Sequence, residues 1–374
     1  MPGLRPDIDP DGLLEYSVVF TDRSLNHMSQ TFQGVMNEIS NTLKQVYGAH
    51  AVAVIPGGGT YGMEAVARQF ATDNNCLIVR NGFFSYRWSQ ILEMGSIAKE
   101  SVVLNARPVS HAPRAPFAPA PLPEVVDRIH AFAPSVVFAP HVETASGILL
   151  PDDYLRAVAE ATHSVGGLFV LDCIASGALW VDMRACGVDV LISAPQKGWS
   201  ASPCAALVML GEQAREVVAS TTSTSFACDL GHWLAIMEAY EAGGYAYHAT
   251  MPTDALTKFR GAMRDTSAFG FDNACTAQLE LGQRVRELLS QHGFESVAAQ
   301  GFEAPGVVVS YTDDAEIKSG KKFLAEGLQV AAGVPLQCGE PDDFSTFRIG
   351  LFGLDKLQDI DRTVEFLRVA LGRM

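Results

Sequence analysis

An aspartate and a lysine each close an apolar run of strand length. Asp172 follows Leu168–Leu171, while Gln196 and Lys197 follow Val188–Ile192, which puts the carboxylate and the amine 25 residues apart. That separation fits one crossover between neighbouring parallel strands, and ligand crevices in open α/β sheets lie beyond the carboxyl ends of such strands. Both groups are therefore expected to face one crevice. Burying an isolated carboxylate and an isolated amine is costly unless each meets a partner. A cofactor with an aldehyde and a basic ring nitrogen supplies both partners. The neutral amine forms a Schiff base with the aldehyde, and the carboxylate keeps the ring nitrogen protonated so that the ring accepts electrons.

Pyridoxal 5′-phosphate answers that description. The stretch LDCIASGALWVDMRACGVDVLISAPQK resembles the D-x-x-x-S … D-M-x-x-x-G-[VI]-D … S-x-Q-K signature of class V aminotransferases, most closely their alanine–glyoxylate and serine–pyruvate group. The resemblance implies fold type I, an α/β architecture whose large domain carries a mostly parallel seven-stranded sheet, followed by a small C-terminal α+β domain. It implies that Lys197 and Asp172 are catalytic and that Gln196 touches the cofactor. An amino group would pass from a small amino acid, alanine or serine-like, to a 2-oxo acid such as glyoxylate or pyruvate, with ping-pong kinetics. A lyase or desulfurase, or an aminophosphonate transaminase, remains an alternative on the same fold.

Other segments carry the same resemblance. After the strand Ala51–Ile55 comes PGGGTYGMEAVARQF, a glycine cluster opening a helix. Glycines let backbone N–H groups approach an anion, and the helix N-terminus favours negative charge. GGGT is similar to the family's phosphate turn, which implies Gly58, Gly59 and Thr60 as phosphate contacts. Gly57, Gly59 and Gly62 also match the dinucleotide pattern G-x-G-x-x-G. A nicotinamide site needs an acidic residue at the end of the next strand, but Cys76–Val79 runs into Arg80 and Asn81, so a dehydrogenase stays a distant alternative. RNGFFSYRW resembles a loop whose aromatic stacks on the pyridine ring, implying Phe84, with Arg87 at the motif arginine. HVETASGILLP implies Thr144 as a contact to the ring oxygen, with Ala145 replacing a second hydroxyl. His141 and Glu143 on that loop have no third ligand in view and are read as structural rather than metal-binding. YAYHATMP resembles a motif that reaches the neighbouring subunit's phosphate, implying Tyr247 and Thr250 and a homodimer with shared sites. FRIGLFG implies that Arg348 grips the substrate carboxylate through a bidentate fork. The family's early P-G-P loop is absent from GLLEYSVVFTDRSLNHMS, so the substrate pocket is expected to be rebuilt on one side.

The elements that must position these residues follow from periodicity. An amphipathic helix is expected from Leu25 to Val46, helices over Val125–Ala133, Ala277–Gln291 and Lys318–Val330, and a final helix with Leu357, Ile360, Val364, Leu367 and Leu371 on one face. Strands are expected at Ser135–Ala139, Gly306–Tyr311 and Phe347–Gly350. Only ten residues separate the strands ending at Ser193 and beginning at Cys204, too few for a helical crossover, so the later strand should run antiparallel. Arg107–Pro123, with six prolines, reads as a surface loop. The expected division is an arm (1–20), a large cofactor domain (21–264) and a small domain (265–374).

The chain has 374 residues, 48% of them apolar, enough for a substantial core. A net charge of −15 argues against nucleic acid or an anionic membrane as partner. Seven cysteines without a C-x-x-C pair suit reduced core thiols rather than disulfides or zinc. The N-terminal segment lacks an apolar h-region, so the cytoplasm is the expected location.

Overall fold

A computed structural model describes residues 4–374. Seven apolar segments form the main sheet: β1 (Ala51–Pro56), β2 (Asn75–Arg80), β3 (Glu100–Asn105), β4 (Val136–Pro140), β5 (Leu168–Asp172), β6 (Val190–Ser193) and β7 (Ala205–Leu210). Their order across the sheet is β1-β7-β6-β5-β4-β2-β3. Strands β2 to β6 pair in parallel, while β7 runs antiparallel to both its neighbours, as the short connection requires. Strand β1, antiparallel to β7, therefore points the same way as β5 and β6. Six carboxyl ends, those of β1 to β6, thus open on one edge, and every cofactor motif on the main sheet follows one of them.

Central strands are buried on both faces, which is why they read as unbroken apolar runs. Strand β3 was not legible that way. ESVVLN lies at the edge, with exposed ends and only half-buried valines and leucine. The first helix, α1 (Gln30–Tyr47), starts later than its apolar periodicity suggests. Ser29 caps it, its hydroxyl accepting from Phe32 N at 3.1 Å, and this leaves Leu25 buried in the chain leading up to the helix.

Two long helices, Thr253–Phe269 and Phe271–Gln291, meet at Gly270, whose φ of +96° few side chains tolerate. Beyond them, β8 (Val307–Tyr311), β9 (Ala331–Ala332) and β10 (Thr346–Gly350) form a small antiparallel sheet in the order β8-β10-β9. The single helix expected over Lys318–Val330 is instead two short pieces, Ala315–Lys318 and Lys321–Ala325. Gly320 and Gly327 sit at φ +78° and +80°, left-handed positions that interrupt the spacing of Phe323, Leu324 and Leu328. The final helix, Ile360–Leu371, follows a separate turn at Leu354–Leu357.

The proline-rich segment is not a free surface loop. It pairs Arg107–Pro108 with Phe117–Ala118, buries Phe117 and Ala120, and hydrogen-bonds Phe117 to the backbone of Val297 and Ala299. A cluster containing Phe117, Val142, Ala145, Val307, Val309 and Leu336 joins the open edge of the main sheet to the small sheet. Phe84 and Phe352 pack against it. No described helix is long and apolar enough to cross a membrane.

Candidate active site

Asp172 ends β5 and is 8% exposed. Its Oδ1 accepts from the backbone N–H of Ile174 at 2.9 Å. Burial pushes its carboxyl up to about 7, against the pull of that hydrogen bond and of the positive charges of Arg87 and Lys197. Lys197, four residues past β6, is held in the opposite sense. Burial, then the neighbouring Arg348 charge, lowers its pKa and favours the neutral amine. Its Nζ lies 5.0 Å from the centre of the Phe352 ring, and among the described residues it makes no ion pair. Phe352 was missed by sequence reasoning. Its signal was its place four residues after Arg348.

The turn carrying Lys197 is built by close backbone approach. A Cβ on Gly198 would fall 1.9 Å from the carbonyl oxygen of Gly177, itself at φ +65°. Gly198→Ala must therefore displace backbone rather than a flexible side-chain end. It is expected to cost about 1–3 kcal/mol in urea unfolding, in the range of overpacked cores, and to shift Lys197.

Across the crevice, Gly58 is the N-cap of α2 (Gly59–Phe70), with no side-chain cap. A Cβ on Gly58 would meet nothing within 4 Å, whereas one on Gly59 would sit 2.4 Å from Ile174 Cδ1. The first N–H groups of such a helix have no intrahelical partner, so they are available to an anion. Thr60 is exposed, and its hydroxyl accepts from Arg87 Nη1 at 3.1 Å.

Phe84 opens the third helix, α3 (Phe83–Met94), and two guanidinium groups lie over its ring, Arg87 at 4.8 Å and Arg348 at 5.6 Å. Glu143 aims this aromatic. Its fully buried carboxylate accepts from the backbone N–H groups of Phe84 (3.2 Å), Ser85 (2.8 Å) and Ala145 (3.0 Å) and from the Ser85 hydroxyl (2.7 Å). The carboxylate thus caps α3 from a different strand end, and desolvation raises its pKa. His141 Nδ1 lies 2.7 Å from Ser176 Oγ, and burial lowers the imidazole to about 4, so it stays neutral. Neither residue is free for a metal, and among the described residues no three His, Cys, Asp or Glu side chains cluster to hold one. Glu143→Ala strands four donors and is expected to destabilise the protein by about 3 kcal/mol or more in thermal melts.

Thr144 is buried on the same loop, and Gln196 lies half-buried beside Lys197 with its Oε1 unpartnered. Arg348 lies on β10 opposite Val309 and Ala331, and its Nε donates to Ala332 O at 2.8 Å. These residues, from both sheets, converge. Tyr247 and Thr250 do not join them. They are exposed, bonded to each other at 3.1 Å, and Tyr247 stands 5.5 Å from the ring of His27.

This geometry has a matching family. The family model for aminotransferase class-V matches residues 13–362. The chain belongs to the class-V aminotransferases. Relatives of this class-V aminotransferase include an alanine–glyoxylate aminotransferase of Rattus norvegicus, 24% identical over 93% of this chain and 82% of the relative. A 2-aminoethylphosphonate–pyruvate transaminase of Paraburkholderia phymatum is 26% identical over 89% of this chain and 84% of that one. Among solved structures, an alanine–glyoxylate aminotransferase from Nostoc sp. superposes with a TM-score of 0.77 at 21% identity, covering 93% of this chain and 89% of its own, and establishes the shared fold type I architecture.

Proposed function

We propose that this class-V aminotransferase uses pyridoxal 5′-phosphate to move the amino group of a small amino acid, alanine or serine-like, onto a 2-oxo acid such as glyoxylate or pyruvate. The observation that carries the reading is the buried, uncompensated pair at neighbouring strand ends. Among the described residues, Asp172 has one hydrogen bond, from a backbone N–H, and no ion pair, and Lys197 is an amine pushed toward neutrality. Together with the unpartnered Gln196 Oε1 and the open N–H groups at Gly58–Thr60, this is a donor and acceptor set that fits the cofactor's ring nitrogen, aldehyde and phosphate. When bound, the cofactor supplies an electron sink for the electrons released as the substrate Cα–H breaks.

The chain's own residues divide the remaining work. Gly58, Gly59 and Thr60 hold the phosphate, Phe84 packs on the ring, and Thr144 and Gln196 meet its polar edge. Asp172 keeps the ring nitrogen protonated. Arg348 grips the substrate carboxylate, and Lys197, once its amine is free, would take the Cα proton and deliver it to the carbon that had been the cofactor's aldehyde, two bonds away across the nitrogen. Tyr247 and Thr250, unattached to their own site, reach the phosphate of a second copy in a homodimer. The division into an arm (1–20), a large domain (21–264) and a small domain (265–374) and a cytoplasmic location belong to the same proposal.

Burial raises the pKa of all seven cysteines, Cys204 to about 11, which favours transamination over a desulfurase needing a thiolate. The relative named for 2-aminoethylphosphonate keeps an aminophosphonate donor as the second reading. The test is spectroscopic. The purified protein with cofactor should show a visible band that disappears with an amino donor alone and returns with a 2-oxo acid alone, as a ping-pong exchange requires. A donor screen of alanine, serine and 2-aminoethylphosphonate separates the two readings, and turnover of one substrate without an oxo acid would refute both. Arg348→Lys, which keeps the charge but loses the planar fork, should raise KM for both substrates by about 10–100-fold with a smaller change in kcat.

A further inference from the structure

We propose that Arg87 is a ligand of the cofactor phosphate, closing the cradle that Gly58, Gly59 and Thr60 begin. The proposal rests on the pyridoxal phosphate reading above. It starts from a shortage of charge at the cradle. A phosphate monoester carries nearly two negative charges at neutral pH, and a helix N-terminus offers roughly half a positive one. The helix cap here is a glycine, so it adds no hydroxyl, and Thr60 is the only side chain in the turn with a polar atom. The crevice also contains the buried carboxyl of Asp172 and, behind Phe84, that of Glu143. An anion bound there needs a full cation nearby.

Arg87 is the cation in place. Its Nη1 donates to Thr60 Oγ1 at 3.1 Å, and its guanidinium is braced 4.8 Å from the Phe84 ring, which fixes it over the mouth of the turn. Its charge is felt at both Asp172 and Lys197, as expected of a group facing the same crevice. Two other cations there have separate duties. Lys197 must be neutral to act as a nucleophile, and Arg348 is tethered to Ala332 O on the small sheet, where it meets the substrate. Among the described residues Arg87 has no carboxylate partner, although the protein carries a net charge of −15 and the half-buried Arg68, Arg215, Arg260 and Arg284 are each paired with an acid. A planar fork already bonded to one hydroxyl retains N–H donors for phosphate oxygens.

The assignment predicts discrimination rather than mere loss of activity. Protein stripped of cofactor is titrated with pyridoxal 5′-phosphate and separately with pyridoxal, which lacks the phosphate, following the change in intrinsic fluorescence. Wild type, Arg87→Lys and Arg87→Ala are compared, with inorganic phosphate as a competitor. Arg87→Ala should weaken pyridoxal 5′-phosphate about 10–100-fold, the size expected for a charge-assisted contact, while the pyridoxal affinity moves less than about twofold. Arg87→Lys should fall between, and inorganic phosphate should compete less well against either variant. Equal weakening of both ligands would overturn the assignment, because a structural role for Arg87 does not distinguish them. So would an unchanged pyridoxal 5′-phosphate affinity accompanied by a raised KM for the amino donor and the 2-oxo acid, which would move Arg87 to the substrate. If wild type binds neither compound, the cofactor reading itself fails, a result separate from either of these.

Discussion

Replacing Lys197 by alanine is expected to lower the transamination rate by about 10⁴-fold or more, since one residue supplies both the nucleophilic amine and the proton-transfer group. Nothing else in the crevice can substitute. Arg348 and Arg87 carry guanidinium groups rather than an amine, and the Asp172 carboxyl is already assigned to the ring nitrogen. The measurement is single-turnover formation of the 2-oxo product from the amino donor, with the visible band recorded alongside. Alanine should abolish the band while leaving phosphate-dependent cofactor binding within about tenfold, because the cradle on α2 is formed by other residues. A variant retaining more than a tenth of wild-type turnover would remove Lys197 from the mechanism.

Asp172→Asn should push activity and stability in opposite directions. The amide cannot hold a proton on the ring nitrogen, and transamination is expected to fall by about 10³-fold, comparable to removing a preorganised electrostatic partner. Stability of the cofactor-free protein should rise. The carboxyl is held at about 7 in the folded chain, against about 3.9 when exposed. Because the folded value is the higher one, the folded state binds the proton more tightly. The stabilisation that proton brings is fully present below about pH 4 and is lost as pH climbs through about 7. Above that, an ionised Asp172 is a penalty on the order of 4 kcal/mol, which asparagine lacks. Melting temperatures of the cofactor-free proteins should therefore be similar at pH 4 and diverge by pH 8, with the variant higher. Convergence at pH 8 would mean that the carboxylate has a counter-ion or water that relieves its burial. Adding cofactor to wild type should close the gap, since the protonated ring nitrogen becomes the missing partner.

This opposition explains why the site is costly to the fold that carries it. A strand end that would be most stable with a neutral residue holds an acid instead, and its neighbour holds an amine next to two arginines. A bound ligand would supply the partners that both lack, a common signature of catalytic centres.

Much of this was legible in the chain itself. Apolar runs broken by Asp172 and by Gln196 and Lys197 mark strand ends because a buried parallel strand admits few polar residues, and the short link to Cys204 forces an antiparallel neighbour. The glycine turn and the arginine inside the FRIG strand are equally local signals. Other features depend on pairings no local pattern encodes. The exposed edge position of Glu100–Asn105 dilutes its apolar character, and the left-handed glycines at 320 and 327 break a helix whose spacing looks continuous. Glu143 reads as structural in sequence, but what it supports does not: its oxygens accept from N–H groups 58 and 59 residues away. The contact of Arg87 with Thr60 spans 27 residues and two helices. Sequence alone determined which residue types end which strands, because burial acts on each segment separately. Only the tertiary structure decided which of those ends face one another and which charges are left without partners, because that depends on strand order and on the small sheet folding back over the open edge.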